Sequence, residues 1–166
     1  MVLKDTLTLI VSVVVASVGF DTLLKAIIEH KRSVAAKRLE LFLEMRKRLR
    51  DDEEFSNICN LLEEEGWEEE RQGEVATKLR NIPPVQKDRF LGFFEGLAIM
   101  RNSGLINDQV AAYMFGYYAI KCKKSESFWE GLDPEDPFWA LFFSFAEDMQ
   151  QARSEFKFDK TKFHVG

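Results

Sequence analysis

The sequence predicts an all-α protein, and three observations carry that expectation. Apolar residues from Ile27 to Met149 recur at steps of three and four, the period of a helix face. Residues that start or stop helices (Asp52, Gly66, Pro83-Pro84, Gly104, Asn107, Asp136-Pro137) stand at the ends of those runs. No strand pattern, low-complexity linker or internal repeat competes with this reading. The expected architecture is a single N-terminal transmembrane helix continuing into a small cytoplasmic helical bundle. The expected bounds are 1–24 for the anchor, 25–50 for a basic membrane-proximal helix, 51–156 for the helical domain and 157–166 for a tail.

The anchor rests on Thr6–Phe20 (TLTLIVSVVVASVGF), which is uncharged and mostly apolar. Fifteen residues span only about 22 Å of a hydrocarbon layer about 30 Å thick. Continuing to Leu24 lengthens the span at the cost of including Asp21, which stands i,i+4 to Lys25 in the favourable order for an ion pair. A cleaved signal peptide and a buried core helix are the alternatives. Against the first, Lys4 is offset by Asp5 and no clean A-x-A site follows. Ser12 and Ala16 sit at the small-xxx-small spacing used between membrane helices.

Charge gives the orientation. Residues 25–50 hold nine Lys/Arg and three acids, whereas Lys4 alone precedes the apolar stretch, so the bulk of the chain is expected on the cytoplasmic side of the inner membrane. Residues 51–74 then hold eleven acids against Arg71. Such a basic block is drawn to anionic headgroups and the acidic block is repelled from them, unless both are simply solvated helix faces. The overall charge of −5 argues against nonspecific nucleic-acid binding. Cys59 and Cys122 lack framework spacing and are read as two buried small hydrophobes.

Along the chain, one long helix is expected to about Arg50, since no Gly or Pro interrupts it after Gly19. Its stripe of Ile28, Ala35, Phe42 and Leu49 at seven-residue spacing, with Met45, is the candidate partner-binding surface. Lys31 and Arg38 fall where a strict seam wants apolar side chains. A heteromeric partner or the protein's own domain is therefore expected on it, and a stable homodimeric coiled coil is not. Asp51 or Asp52 caps a helix bearing Phe55, Ile58, Leu61 and Leu62, ending at Gly66. A loose acidic segment with Trp67 precedes a short helix around Glu74–Arg80. Pro83-Pro84 opens a helix with Phe90, Leu91, Phe94, Leu97, Ala98 and Met100/Arg101 on one face, and Gly104 is its C′ residue. Asn107 or Asp108 starts one helix running past Tyr117, Tyr118 and Ile120 to Lys124. Phe128-Trp129 forms a turn, and Asp136-Pro137 opens a last helix to about Phe156.

No residue set names a chemistry. Phosphate-binding, dinucleotide, serine-hydrolase and zinc-protease motifs are missing from the sequence, and His30 and His164 have no ligand-spaced partners. No catalytic, cofactor-binding or metal-ligating residue is assigned; the acidic run Glu63–Glu70 lacks the spacing and glycine of a calcium loop. Glu95 is the residue whose place asks for a reason, because it interrupts the apolar run Phe93–Met100. If buried it needs a partner, with Arg101 or a neighbouring lysine as the expected one. Otherwise it lies on the polar side of its helix.

The run Arg89-Phe90-Leu91-Gly92-Phe93-Phe94-Glu95-Gly96-Leu97-Ala98, then Arg101-Asn102-Ser103-Gly104-Leu105-Ile106, Phe115-Gly116 and Phe128-Trp129, resembles the DUF4760-type family of bacterial membrane-anchored helical proteins. The resemblance implies a fold and a location, not an activity or catalytic residues. Two functions are compatible with it. One is a single-pass membrane-anchored accessory or adaptor protein binding partner proteins. The other is a membrane-tethered sensor holding a small ligand near Glu95 and Tyr117/Tyr118.

Overall fold

The long apolar-basic run folds as one 50-residue helix, α1 (Val2–Asp51), in a computed structural model. The structure describes residues 2–65 and 72–155, with side chains described at 20, 22–65 and 73–155. The anchor expected over Thr6–Phe20 thus falls, Phe20 excepted, outside the described side chains, as do Asp21, Gly66, Trp67, the tail and His164. Among the described residues no helix is long and apolar enough to cross a membrane.

The α1 helix stops because Asp52 leaves the helical region (φ −74°, ψ 118°) and its carboxylate accepts from the backbone N–H groups of Glu54 at 3.0 Å and Phe55 at 3.2 Å. Those are orphan donors of the next helix, α2 (Glu53–Glu64), so one side chain ends one element and starts another. Following α3 (Gln72–Arg80), Pro84 opens α4 (Pro84–Asn102). Gly104 closes α4 at φ +68°, with its N–H donating to the Arg101 carbonyl and the Leu105 N–H reaching back to Met100 at 2.8 Å. This is the paired closure that an αL glycine permits.

Asn107 then accepts from the Val110 N–H at 2.8 Å and starts α5 (Asp108–Met114). The chain continues through α6 (Gly116–Lys124), α7 (Glu126–Trp129), a 3₁₀ turn (Pro137–Trp139) capped by Asp136, and α8 (Ala140–Ser154). Ser125, which periodicity does not single out, caps α7 by accepting from the Phe128 N–H.

One expected helix from Asn107 to Lys124 is in fact two. Phe115 departs to φ −125°, ψ −25°, and its fully buried ring meets Phe42 at 5.9 Å and Phe93 at 6.1 Å between centroids. Gly116 follows, where a β-carbon would lie 3.1 Å from the Cβ of buried Met149 on α8. The break seats one aromatic ring and brings α6 against α8; helical periodicity alone carries no sign of it.

The chain divides into two compact units, Met1–Lys37 and Arg38–Gly166. The second begins earlier than the expected boundary at 51 because Phe42 and Leu49 are buried in its core and Met45 packs against it. That core is aromatic: nine of the described phenylalanines are buried, and Phe90, Phe93 and Phe94 of α4 lie at its centre. Phe55 meets Phe90 and Phe93 edge-on at 5.4 Å, Phe94 meets Phe142 at 6.0 Å, and Phe90 meets Phe128 at 6.0 Å. Edge-to-face pairs contribute about 0.5–1.5 kcal/mol each beyond area burial.

Two glycine substitutions test this packing in opposite directions. Gly116→Ala should destabilise by about 1–3 kcal/mol, because the atom it would crowd is a β-carbon tied to the α8 backbone. Gly92→Ala, inside α4 with open space around it, should stabilise by up to about 1 kcal/mol. Denaturant unfolding of both variants reads the signs; a stabilised Gly116→Ala would contradict the close approach of α6 and α8.

Candidate functional site

The expected partner-binding stripe does not act as one surface. Phe42 and Leu49 are 8% and 6% exposed, and the Met45 Cε lies 3.6 Å from where a Gly96 β-carbon would stand. These three pack into the protein's own domain, one of the two occupants expected for the stripe, and so serve its core rather than a separate partner. Ala35 is half-buried and Ile28 is exposed, both in the first unit. There, among the described side chains, the large exposed apolar ones are Phe20, Leu23, Leu24, Ile27 and Ile28, at steps of one, three and four along a single face of α1. In the second unit Leu39, Leu41 and Leu43 of α1 are exposed as well.

The expected Glu95–Arg101 pair is corrected. Arg101 is held by Asp108 at the start of α5 (Nε–Oδ1 2.6 Å) and by Asp148 of α8. It ties three helices together, and those hydrogen bonds keep its guanidinium charged. Glu95 is half-buried, with no ion pair or hydrogen bond among the described residues. Burial, and secondarily the charge of Asp88, push its carboxyl above the usual carboxylate range.

Lys87 is a charged residue that the sequence pattern does not assign to a site. It is 1% exposed, and its ammonium donates to the carbonyls of Glu130 at 2.8 Å and Arg80 at 3.4 Å. Arg80 ends α3 and Glu130 follows the last residue of α7, so the cation sits at two helix C-termini, where the backbone dipoles favour it. The Phe128 ring lies beneath it at 5.6 Å. Burial lowers its pKa despite the raising effect of Glu130. A signal is present in the sequence: Lys87 shares the register of Phe90, Leu91 and Phe94 on the apolar face of α4.

The two tyrosines expected near one ligand separate into different clefts. Tyr117 lines a cleft of about 670 Å³ with Glu65, Lys121, Lys124, Glu126 and Arg153. Its ring has the Lys121 Nζ at 6.0 Å and the Arg153 Cζ at 5.7 Å from the centroid. Tyr118 lines a second cleft of about 320 Å³, and Glu95 lines neither. Cys59 and Cys122 are buried as expected; burial is the main cause that pushes the Cys59 thiol up to about 12 and raises Cys122 as well, so neither is a ready nucleophile.

No protein-family model, curated protein or solved structure matches this chain.

Half-buried Glu95 and buried Lys87 are open to test by titration and substitution. Glu95→Gln should be more stable than the parent at pH 7. A carboxyl whose folded pKa is raised loses stability as pH climbs from its unfolded value through the folded one, and glutamine escapes that loss. The difference should close below pH 4.5, the ordinary value for this carboxyl. A destabilised glutamine variant at pH 7 would mean that the carboxylate is stabilised in the fold. Lys87→Met should cost about 1–3 kcal/mol at neutral pH by stripping a carbonyl of its donor. Because the folded pKa of Lys87 is lowered, the unfolded chain binds more protons in the window up to 10.5, and parental stability there rises with pH. Denaturation at pH 7 and pH 10 should therefore show the cost of Lys87→Met growing; a cost that shrinks with pH reverses the sign.

Proposed function

We propose that this chain is a membrane-tethered helical adaptor: residues 1–24 anchor it in the inner membrane, and the cytoplasmic helical domain docks membrane or membrane-associated proteins. The observation that carries the reading is the exposed face Phe20, Leu23, Leu24, Ile27 and Ile28, 41–62% exposed, which continues directly from the uncharged stretch Thr6–Phe20. An uninterrupted apolar face of this kind is costly in water and favourable at a bilayer. The basic flank at Lys25, Lys31, Arg32, Lys37 and Arg38 supports cytoplasmic placement of the helical domain beyond it. The DUF4760-type resemblance belongs to the same proposal, since it implies an anchor followed by helices.

Docking is assigned to the exposed leucines of α1 in place of the seven-residue stripe. Leu39 and Leu43 are 45% and 49% exposed and stand i,i+4 on one face. A second reading, a sensor for a small ligand, is favoured by the 670 Å³ cleft around Tyr117, which has the size of a ligand site.

Three experiments test the adaptor. Deleting residues 1–24 should release the chain from membranes with its thermal transition intact. A cysteine near residue 2 should react with an impermeant reagent from outside intact cells, and one placed at exposed Ser144 should not; the buried Cys122 is silent in either orientation. Leu39→Asp with Leu43→Asp should lower partner recovery from solubilised membranes while insertion and melting stay unchanged. Full recovery with the double variant would remove this face as the docking surface, and reversed labelling would overturn the orientation.

A further inference from the structure

We infer that the 320 Å³ cleft between α1, α2 and α6 is a binding site for a small phosphomonoester, held by Arg46 and Arg50. The cleft is lined by these two arginines, by Ser56, Cys59 and Asn60 of α2, by Tyr118 of α6, and by the apolar side chains of Leu49, Met114 and Phe115. Among the described residues no acidic one lines it.

The arginines are set apart by what they lack. In the second unit Arg48 stacks over Phe55 at 5.3 Å, Arg80 pairs with Glu130, Arg89 with Glu54, Arg101 with Asp108 and Asp148, and Arg153 lies against Tyr117. Among the described residues Arg46 and Arg50 have no ion pair, hydrogen bond or ring contact. They stand i,i+4 on α1, one turn apart, and both line the same cleft. The remaining polar lining is neutral and able to donate: the hydroxyls of Ser56 and Tyr118 and the amide of Asn60. Tyr118 stays protonated, because burial first, then Cys59, Glu63 and Tyr117, raise its pKa.

Two free forks with neutral donors fit a phosphate dianion, which takes paired N–H bonds from each guanidinium. The apolar wall of Leu49, Met114 and Phe115 fits a small hydrophobic group on the ester. The phosphate could be carried by a soluble metabolite or by a phosphatidic acid headgroup. This inference does not depend on the tether, since every lining residue belongs to the second unit.

The test is calorimetric titration of the full chain, held in neutral detergent micelles whether or not residues 1–24 insert in a bilayer, with phenyl phosphate. Saturable binding is expected, weaker for inorganic phosphate, and lost by at least about tenfold in Arg46→Gln/Arg50→Gln. A control carrying Arg32→Gln and Lys47→Gln, two exposed cations on the same helix but outside the cleft, should bind as the parent does. A short-chain phosphatidic acid added to the micelles that competes with phenyl phosphate identifies the lipid source; undiminished binding identifies the soluble one. Tyr118→Phe keeps the ring and removes one donor, so it should weaken binding whether or not the double arginine variant folds. Absence of saturable binding to phenyl phosphate, or equal binding by the parent and a folded double variant, overturns the proposal.

Discussion

Edge-on contact among phenylalanines carried by α4 sets the geometry of the domain. Phe90, Phe93 and Phe94 are wide, flat side chains packed one turn apart, and each must be met by another ring or an aliphatic wall. The neighbours that meet them come from every direction along the chain: Phe55 from α2, Phe115 from the α5–α6 break, Phe128 from α7, Phe142 and Phe145 from α8. Short helices separated by frequent caps are the backbone solution to this demand, since a few long helices could not bring rings from so many segments onto one face.

The same constraint explains why the charged residues inside the domain hold helix ends together. Lys87 takes the carbonyls at the ends of α3 and α7, and Arg101 takes carboxylates from α5 and α8. Both come from α4. The central helix therefore supplies the rings that fill the core and, at its two ends, the cations that fasten the surrounding short helices. Ser125, Asn107 and Asp136 complete the fastening locally by accepting from the first N–H groups of their own helices.

Much of this is legible in the sequence because it depends on local chemistry. Asp52, Pro84, Gly104, Asn107 and Asp136-Pro137 act within a few residues of themselves, and each behaves as its type requires. The features that the sequence hides depend on distant partners. The break at Phe115 exists because Phe42 and Phe93 receive its ring, and no nearby residue except Gly116 hints at it. A Glu95–Arg101 pairing rests on proximity along one helix, but Arg101 is claimed by Asp108 and by Asp148, 47 positions away. Lys87 escapes notice because lysines are seldom buried, although its place in the register of Phe90 and Phe94 marks it.

The stripe on α1 shows most clearly how periodicity can be right about a face and silent about its occupant. Ile28, Ala35, Phe42 and Leu49 do repeat at seven, and apolar side chains on that spacing do seek a partner. For Phe42 and Leu49 the partner is the domain itself, which fixes the start of the compact unit near Arg38. For Ile28, with Phe20, Leu23, Leu24 and Ile27, the described residues offer none, and the apolar face is left exposed. The basic residues divide in the same way. Arg48 is spent on Phe55 within the domain, whereas Arg46 and Arg50, two residues to either side of it, have no partner among the described residues and line a cleft. A charge run read as a single solvated or membrane-facing block is thus three different things along one helix: a flank beside an apolar face, an exposed cation stacked on a core ring, and a pair of arginines lining a cleft of mixed polarity.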